Sequence, residues 1–287
     1  MQQSTAMSNP FELETPGVIN FSGGRTSGYM LYHILQAFNG KLPDDLPVVF
    51  ANTGKEMPQT LDFVHACETN WDVPIVWVEW DNNEEHKIRI VDYKSASRDG
   101  RPYEELIDSK RFLPNPVTRY CTSYLKIKPM RSYCMFYKGF EYWNSYVGLR
   151  YDEPHRVARL ANRNKKERWE TEAPLHDARK TVQDVFKFWS ENSFDLELPN
   201  IGGKTPQGNC DLCFLKGANT IKNIMKSDPK LADWWIKQET KNLGTGNDRA
   251  AYFRKDRPSY AKLLKNTQDQ LELFEFDSAT DTCFCHD

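Results

Sequence analysis

Phe21-Ser22-Gly23-Gly24-Arg25-Thr26-Ser27-Gly28 constrains the fold more than any other segment of the 287-residue chain. A short apolar run, Val18, Ile19 and Phe21, ends abruptly in two glycines, and Met30, Leu31, Ile34, Leu35 and Phe38 then recur at helical spacing. The order is strand, glycine turn, helix. Glycines at the turn let backbone come close to a ligand. The hydroxyls of Ser22, Thr26 and Ser27 and the open amides of the helix start can hold phosphate oxygens, and Arg25 adds a fork of donors. The glycine spacing of the dinucleotide fingerprint and the Gly-Lys-Ser/Thr ending of the Lys-containing P-loop are both absent. Taken alone, the segment fits an ordinary strand-to-helix turn or a phosphate cradle.

The same pattern repeats down the chain. Pro47-Val48-Val49-Phe50 leads to Asn52-Thr53-Gly54 and then to a helical stretch with Leu61, Val64 and Cys67, and a third strand is expected at 74–78. Strands alternating with helices indicate βαβ units and a mostly parallel, doubly wound α/β sheet. The polar stretch from Asp81 to Pro116 has no strong periodicity and reads as an insertion or mobile loop. A further strand is expected over 140–147, entering Gly148-Leu149-Arg150, and Val182, Val185, Phe186 and Trp189 mark an amphipathic helix. Beyond Cys213 the chain looks mainly helical. The expected organisation is a flexible lead-in over 1–16, an α/β nucleotide-binding domain over 17–217, and a helical C-terminal extension over 218–287 ending in a Cys-rich tail.

Charge narrows the partners. With 38 basic and 40 acidic residues the net charge is −2, which argues against a mainly electrostatic partner such as bulk nucleic acid or an anionic membrane. The 13% aromatic content opposes extended disorder, and no apolar run approaches the ~20 residues of a membrane span. The N-terminus has no basic start followed by an apolar stretch, so a cytoplasmic, reducing setting is expected. In that setting close cysteine pairs suggest metal or redox chemistry before disulfides.

Seven cysteines stand at 67, 121, 134, 210, 213, 283 and 285. Cys210 and Cys213 form a C-x-x-C, a turn that aims two thiolates at one ion or cluster. Cys67 and Cys134 lie in apolar or aromatic stretches and read as small hydrophobes. Cys283 and Cys285, in a polar tail beside His286, have little reason to be core. One can bind metal while the other acts as a nucleophile with His286 lowering its pKa.

Five segments in order carry a resemblance. Ser22-Gly23-Gly24-x-x-Ser27 is similar to the PP-loop of the adenine nucleotide alpha hydrolase superfamily. Asn52-Thr53-Gly54 through Pro58-Gln59-Thr60, Arg119-Tyr120-Cys121 through Lys126, Lys128 and Pro129, Gly148-Leu149-Arg150 through Glu153 and Arg156, and Ala173-Pro174-Leu175 followed by Asp184-Val185 resemble its phosphoadenosine phosphosulfate reductase branch. The match spans about residues 17 to 217. Three departures stand out: Thr26 occupies a position where many ATP-cleaving PP-loop enzymes carry Asp, Tyr120 replaces one cysteine of the family's Cys-Cys pair, and the tail reads Thr282-Cys283-Phe284-Cys285-His286-Asp287 where thiol-dependent reductases end in Glu-Cys-Gly-Leu-His.

The resemblance implies an adenine nucleotide alpha hydrolase-like fold and an enzyme acting on the sulfo group of phosphoadenosine phosphosulfate. It implies a nucleotide site of Ser22, Gly23, Gly24, Arg25, Thr26, Ser27, Asn52, Thr53, Gly54, Lys126, Lys128, Gly148, Arg150 and Arg156. Cys283, Cys285 and His286 are the expected catalytic groups. Cys121 joins Cys210 and Cys213 as a metal ligand by the same resemblance, and Cys285, or Cys283 in its place, can supply the fourth. Four thiolates suit a [4Fe–4S] cluster, with zinc as the alternative. A thioredoxin-like thiol reductant is the expected partner.

Two other readings use the same residues. An ATP-pyrophosphatase sulfurtransferase would need Mg2+ and an RNA or DNA acceptor, for which the basic run Arg159, Arg163, Lys165, Lys166 and Arg168 is a candidate grip. A nucleotide-binding module without turnover, holding structural zinc, is the third, and Thr26 is its best support.

Overall fold

The computed structural model of the chain describes residues 9–164, 167–243 and 251–269. Six strands, β1 (Gly17–Phe21), β2 (Val48–Asn52), β3 (Ile75–Trp80), β4 (Ile88–Val91), β5 (Trp143–Val147) and β6 (Trp169–Glu172), form one sheet in the order β4-β3-β2-β1-β5-β6. Every neighbouring pair is parallel except β4, which runs antiparallel to β3. Ile19 of β1 sits between Val48 of β2 and Tyr146 of β5. Both β1 and β2 are buried at every position. A parallel strand covered by helices on both faces has no solvent side, which is why these segments read as continuous apolar runs.

One face is covered by α1 (Arg25–Ala37), α2 (Pro58–Asn70) and the helix Val182–Glu191, with Phe21, Phe50, Met30, Ile34, Val64 and Trp189 in one core. Pro58 opens α2, where its missing N–H is no loss. Thr181 and Asp184 close a capping box on Val182–Glu191, the Thr181 N–H donating to Asp184 Oδ2 at 2.7 Å. Along the other face runs a continuous helical stretch, Tyr120–Thr122, Ser123–Ile127, Lys128–Ser132 and Tyr133–Tyr137, whose second and fourth parts are wound as π-helix. Pro129 has no N–H to give the helical ladder, and the wide turn before it accommodates that gap. Helix Pro154–Asn164 connects β5 to β6, its Leu160 packing with Val147 and Ala173.

The stretch from Asp81 to Pro116 is more ordered than its polarity implies. It contains the edge strand β4 and the helix α3 (Arg101–Lys110). An edge strand with one neighbour needs only one buried side chain, Ile88, and α3 carries its buried Tyr103, Leu106 and Ile107 within an otherwise charged segment.

Helices Ala218–Ser227, Leu231–Leu243 and Tyr260–Asp269 make the C-terminal region helical. They close a second core in which Ile224, Trp235, Phe253 and Tyr260 pack with Trp80, Tyr103, Leu106 and Leu125. Among the described residues no helix is long and apolar enough to cross a membrane.

Candidate functional site

Strand order reverses at β1, since β2 lies on one side of it and β5 on the other. The crevice outside the carboxyl ends at such a reversal is where open α/β sheets take ligands. The loops after β1 and β5 meet there. Gly23 takes φ +72°, and a Cβ on it would stand 2.7 Å from Thr60 Cγ2, so only glycine fits. Inside the turn, Ser27 Oγ accepts from the Ser22 N–H at 3.2 Å and the Gly24 N–H at 3.3 Å and donates to the Gly24 carbonyl at 2.9 Å. Gly148 lies so close that a Cβ would be 3.2 Å from Ser27 Cα. Arg150 reaches across, its Nη1 donating to Thr26 Oγ1 at 3.1 Å, while Nε is held by Asp152 at 3.0 Å. Glu153 ties the loop by accepting from the Arg150 N–H at 3.1 Å and from Arg156 Nη1 at 2.5 Å.

Arg25 is not brought to this crevice as a donor. Its guanidinium is buried and bonds Asp195 through Nε and Nη2 at 2.7 Å each, Thr205 at 2.9 Å, and the carbonyls of Leu196 and Leu198. Nε, Nη1 and Nη2 each donate inside the protein, so the buried guanidinium pins the 195–205 segment instead of reaching the crevice. Lys126 and Lys128 separate as well. The Lys126 ammonium lies 3.8 Å from Glu56 Oε1 and lines a groove with Asn20, Ser145 and Trp169 on the β1–β5–β6 side. Lys128, exposed, stands over the Tyr124 ring at 3.4 Å in a different pocket, by Trp80 and His86.

The loop after β2 links the crevice to the cysteines. Asn52 donates to Glu79 Oε1 at 2.6 Å and to the Ser97 carbonyl at 2.9 Å, and its Oδ1 accepts from the Gly54 N–H at 3.0 Å. Thr53 gives its N–H and hydroxyl to Glu56 Oε2 at 2.9 and 2.8 Å, and its Oγ1 lies 3.5 Å from Cys210 Sγ. Cys210 and Cys213 are buried and Cys121 is half-buried. Cys210 and Cys213 share one core with Tyr103, and Cys121 packs against it. The fully buried Tyr103 phenol is held well above its ordinary pKa, first by desolvation and then by Cys121, Cys210 and Cys213, with a hydrogen bond to Cys121. The three donors are of one chemistry, which suits a soft metal or a cluster. Even so, no group of three His, Cys, Asp or Glu among the described residues is arranged to hold a metal ion. Cys283, Cys285 and His286 lie outside the described residues.

Sequence reasoning missed the groups that fix the C-x-x-C turn. Lys55 Nζ and Asp211 Oδ2 form a buried ion pair at 2.7 Å. Asp211 Oδ1 also accepts from Trp235 Nε1 at 2.7 Å. Lys216 Nζ caps the carbonyls of Gly208, Cys210 and Asp211 at 2.8, 2.9 and 3.1 Å. A carboxylate between the two cysteines was the available signal. Cys67 and Cys134, by contrast, sit in the core, where burial pushes Cys67 far up and Cys134 to about 12, making both poor nucleophiles.

Comparison with known proteins agrees with this geometry. Residues 16–197 match the phosphoadenosine phosphosulfate reductase domain. An uncharacterized nin region protein of Escherichia phage lambda is 29% identical over 220 residues, covering 75% of this chain and 71% of that protein. An uncharacterized protein of Methanocaldococcus jannaschii is 27% identical over 119 residues, 42% of this chain and 23% of that protein. With a switch-point crevice built from a Ser-Gly-Gly turn and an arginine loop, and with the domain matched over most of its length, the chain belongs to the phosphoadenosine phosphosulfate reductase domain family.

Proposed function

We propose that the chain is a phosphoadenosine phosphosulfate reductase-like enzyme of the reducing cytoplasm, with the nucleotide in the crevice between the loops after β1 and β5. The observation that carries this reading is the packing of Gly148 against Ser27 with Arg150 on Thr26, which puts a guanidinium beside the glycine turn at the N-terminus of α1. Amides and guanidinium together suit phosphate oxygens.

In this reading a thiolate from Cys283 or Cys285, with His286 beside it, attacks the sulfo sulfur of phosphoadenosine phosphosulfate. The bond from sulfur to the 5′-phosphate oxygen breaks, and adenosine 3′,5′-bisphosphate leaves with the electron pair. A second thiolate then attacks the protein sulfur, releasing sulfite and forming a disulfide that an external dithiol reduces. Cys121, Cys210 and Cys213, gathered about one core, would supply three donors of a [4Fe–4S] cluster or a zinc ion, with Cys285 as the fourth.

A second reading has one observation in its favour. The cations at the crevice are already matched to carboxylates, Arg150 with Asp152 and Glu153, and Lys126 with Glu56. A crevice so neutralised suits a nucleotide that brings its own cation, as Mg-ATP does in a nucleobase-thiolating sulfurtransferase. Product analysis on anaerobically purified protein separates the two. Sulfite and adenosine bisphosphate from phosphoadenosine phosphosulfate with a dithiol are expected. AMP and pyrophosphate from Mg-ATP would replace the reductase by the sulfurtransferase, and neither product would leave a nucleotide-binding module. Iron and zinc content of the same protein decides the metal.

A further inference from the structure

A second site lies at the same end of the sheet, two strands from the Ser22–Ser27 turn. Trp80, the last residue of β3, and His86 in the turn to β4 face the helical stretch 120–137 across a pocket of about 330 Å³. Of the cations lining it, Lys87 gives its ammonium to the Asn82 carbonyl at 2.7 Å, which leaves Lys128 and Arg131, and Lys110 shares the Tyr124 ring from outside the lining. Lys128 Nζ is 3.4 Å and Lys110 Nζ 3.8 Å from the centre of the Tyr124 ring, and Arg131 lines the wall. Among the described residues no carboxylate lies within ion-pair distance of these three, and the Arg131 guanidinium meets only the Met135 sulfur, at 3.4 Å. This is the reverse of the crevice, where each cation has a carboxylate. Glu85 is the one acidic side chain in the lining. The two ammonium groups draw the Tyr124 phenol down to about 8 by hydrogen bonding first and by their charge.

The pocket also carries an aromatic platform. Phe136 is 53% exposed and stacks flat on His86, ring centres 4.1 Å apart and planes 6° from parallel, with Tyr137, 49% exposed, edge-on to the same imidazole. Flat exposed rings beside cations that meet no carboxylate among the described residues are what a base and its phosphate require, and base stacking tolerates any sequence. Lys110 and Lys128 share the Tyr124 ring. Arg131 borders both this pocket and the groove on the β1–β5–β6 side, so the three cations mark a track over the helix longer than one phosphate.

We propose that this face binds single-stranded nucleic acid, a base stacking on the Phe136–His86 pair and successive phosphates lying on Lys110, Lys128 and Arg131. The site is separate from the nucleotide crevice and stands whichever nucleotide that crevice takes.

Fluorescence anisotropy with a labelled 15-nucleotide single strand, as DNA and as RNA, tests it over a salt series. Binding that weakens with salt is expected. Each phosphate contact on a single strand contributes about 0.7 to the slope of log K against log salt, so Lys110→Ala with Lys128→Ala should flatten that slope by about 1.4. Phe136→Ala should weaken binding roughly tenfold at every salt concentration. These side chains are at or near the surface, and circular dichroism verifies the fold of each variant. The proposal is overturned by a wild-type protein that fails to bind the strand at low salt, by variants that bind like wild type, or by AMP competing as strongly as the unlabelled strand. A Ser27→Ala protein, altered only in the crevice, should bind the strand like wild type, and loss of binding there would move the site to the crevice.

Discussion

Arg25 occupies the first position of α1, where a phosphate-binding loop has its most valuable donors, yet it spends them on Asp195, Thr205 and two carbonyls. Replacing it by Met leaves Asp195 and the Leu196 and Leu198 carbonyls without their donor. The expected loss is about 2–3 kcal/mol by urea denaturation, below the ~3–5 of a fully buried pair because Asp195 is 37% exposed and rehydrates. Nucleotide affinity, measured by calorimetry on the folded fraction, should fall far less than in Arg150→Ala. The Ser22-Gly23-Gly24 turn itself was legible because its bonds are local, Ser27 closing on Ser22 and Gly24. The destination of Arg25 was not, since its carboxylate partner lies 170 residues away.

Among the elements, the last described helix depends on a buried carboxylate. Glu239, on Leu231–Leu243, accepts from the Tyr260 N–H at 2.9 Å and so caps Tyr260–Asp269. Burial raises its pKa from 4.5 to about 7, against backbone hydrogen bonds from Tyr260 and Phe253 and the charge of Arg257. The folded state therefore holds a proton that the unfolded chain releases. Stability from that proton is complete below about pH 4.5 and is lost as pH rises through 7, on the order of 3 kcal/mol in all. Glu239→Gln should remove most of this pH dependence in thermal melts between pH 4.5 and 7.5 while keeping the acceptor, and an unchanged slope would refute the assignment. The helices α1 and Val182–Glu191 were readable because each lays one periodic apolar face on the sheet. The edge strand β4 and α3 were not, because each buries few residues and those few lie far apart in a charged segment.

On the scale of the whole molecule, the boundary expected after residue 217 crosses a core. Tyr103, Leu106 and Ile107 of α3 and Leu125 of the helical stretch 120–137 share their packing with Ile224, Trp235, Phe253 and Tyr260. A chain ending at 217 is expected to expose that surface, to aggregate, and to lose the cooperative thermal transition of the full chain; a soluble, cooperatively melting 1–217 fragment would show that the first core suffices. Apolar runs of period suited to buried strands and glycines at strand ends are local facts, and they were enough to define a mostly parallel α/β sheet with a glycine turn at the end of its first strand. Which charge meets which is decided by distance in space. The Lys55–Asp211 pair, the separation of Lys126 from Lys128, and the gathering of Cys121, Cys210 and Cys213 about one core exist only once β2, the 120–137 helix and the C-terminal helices have packed together.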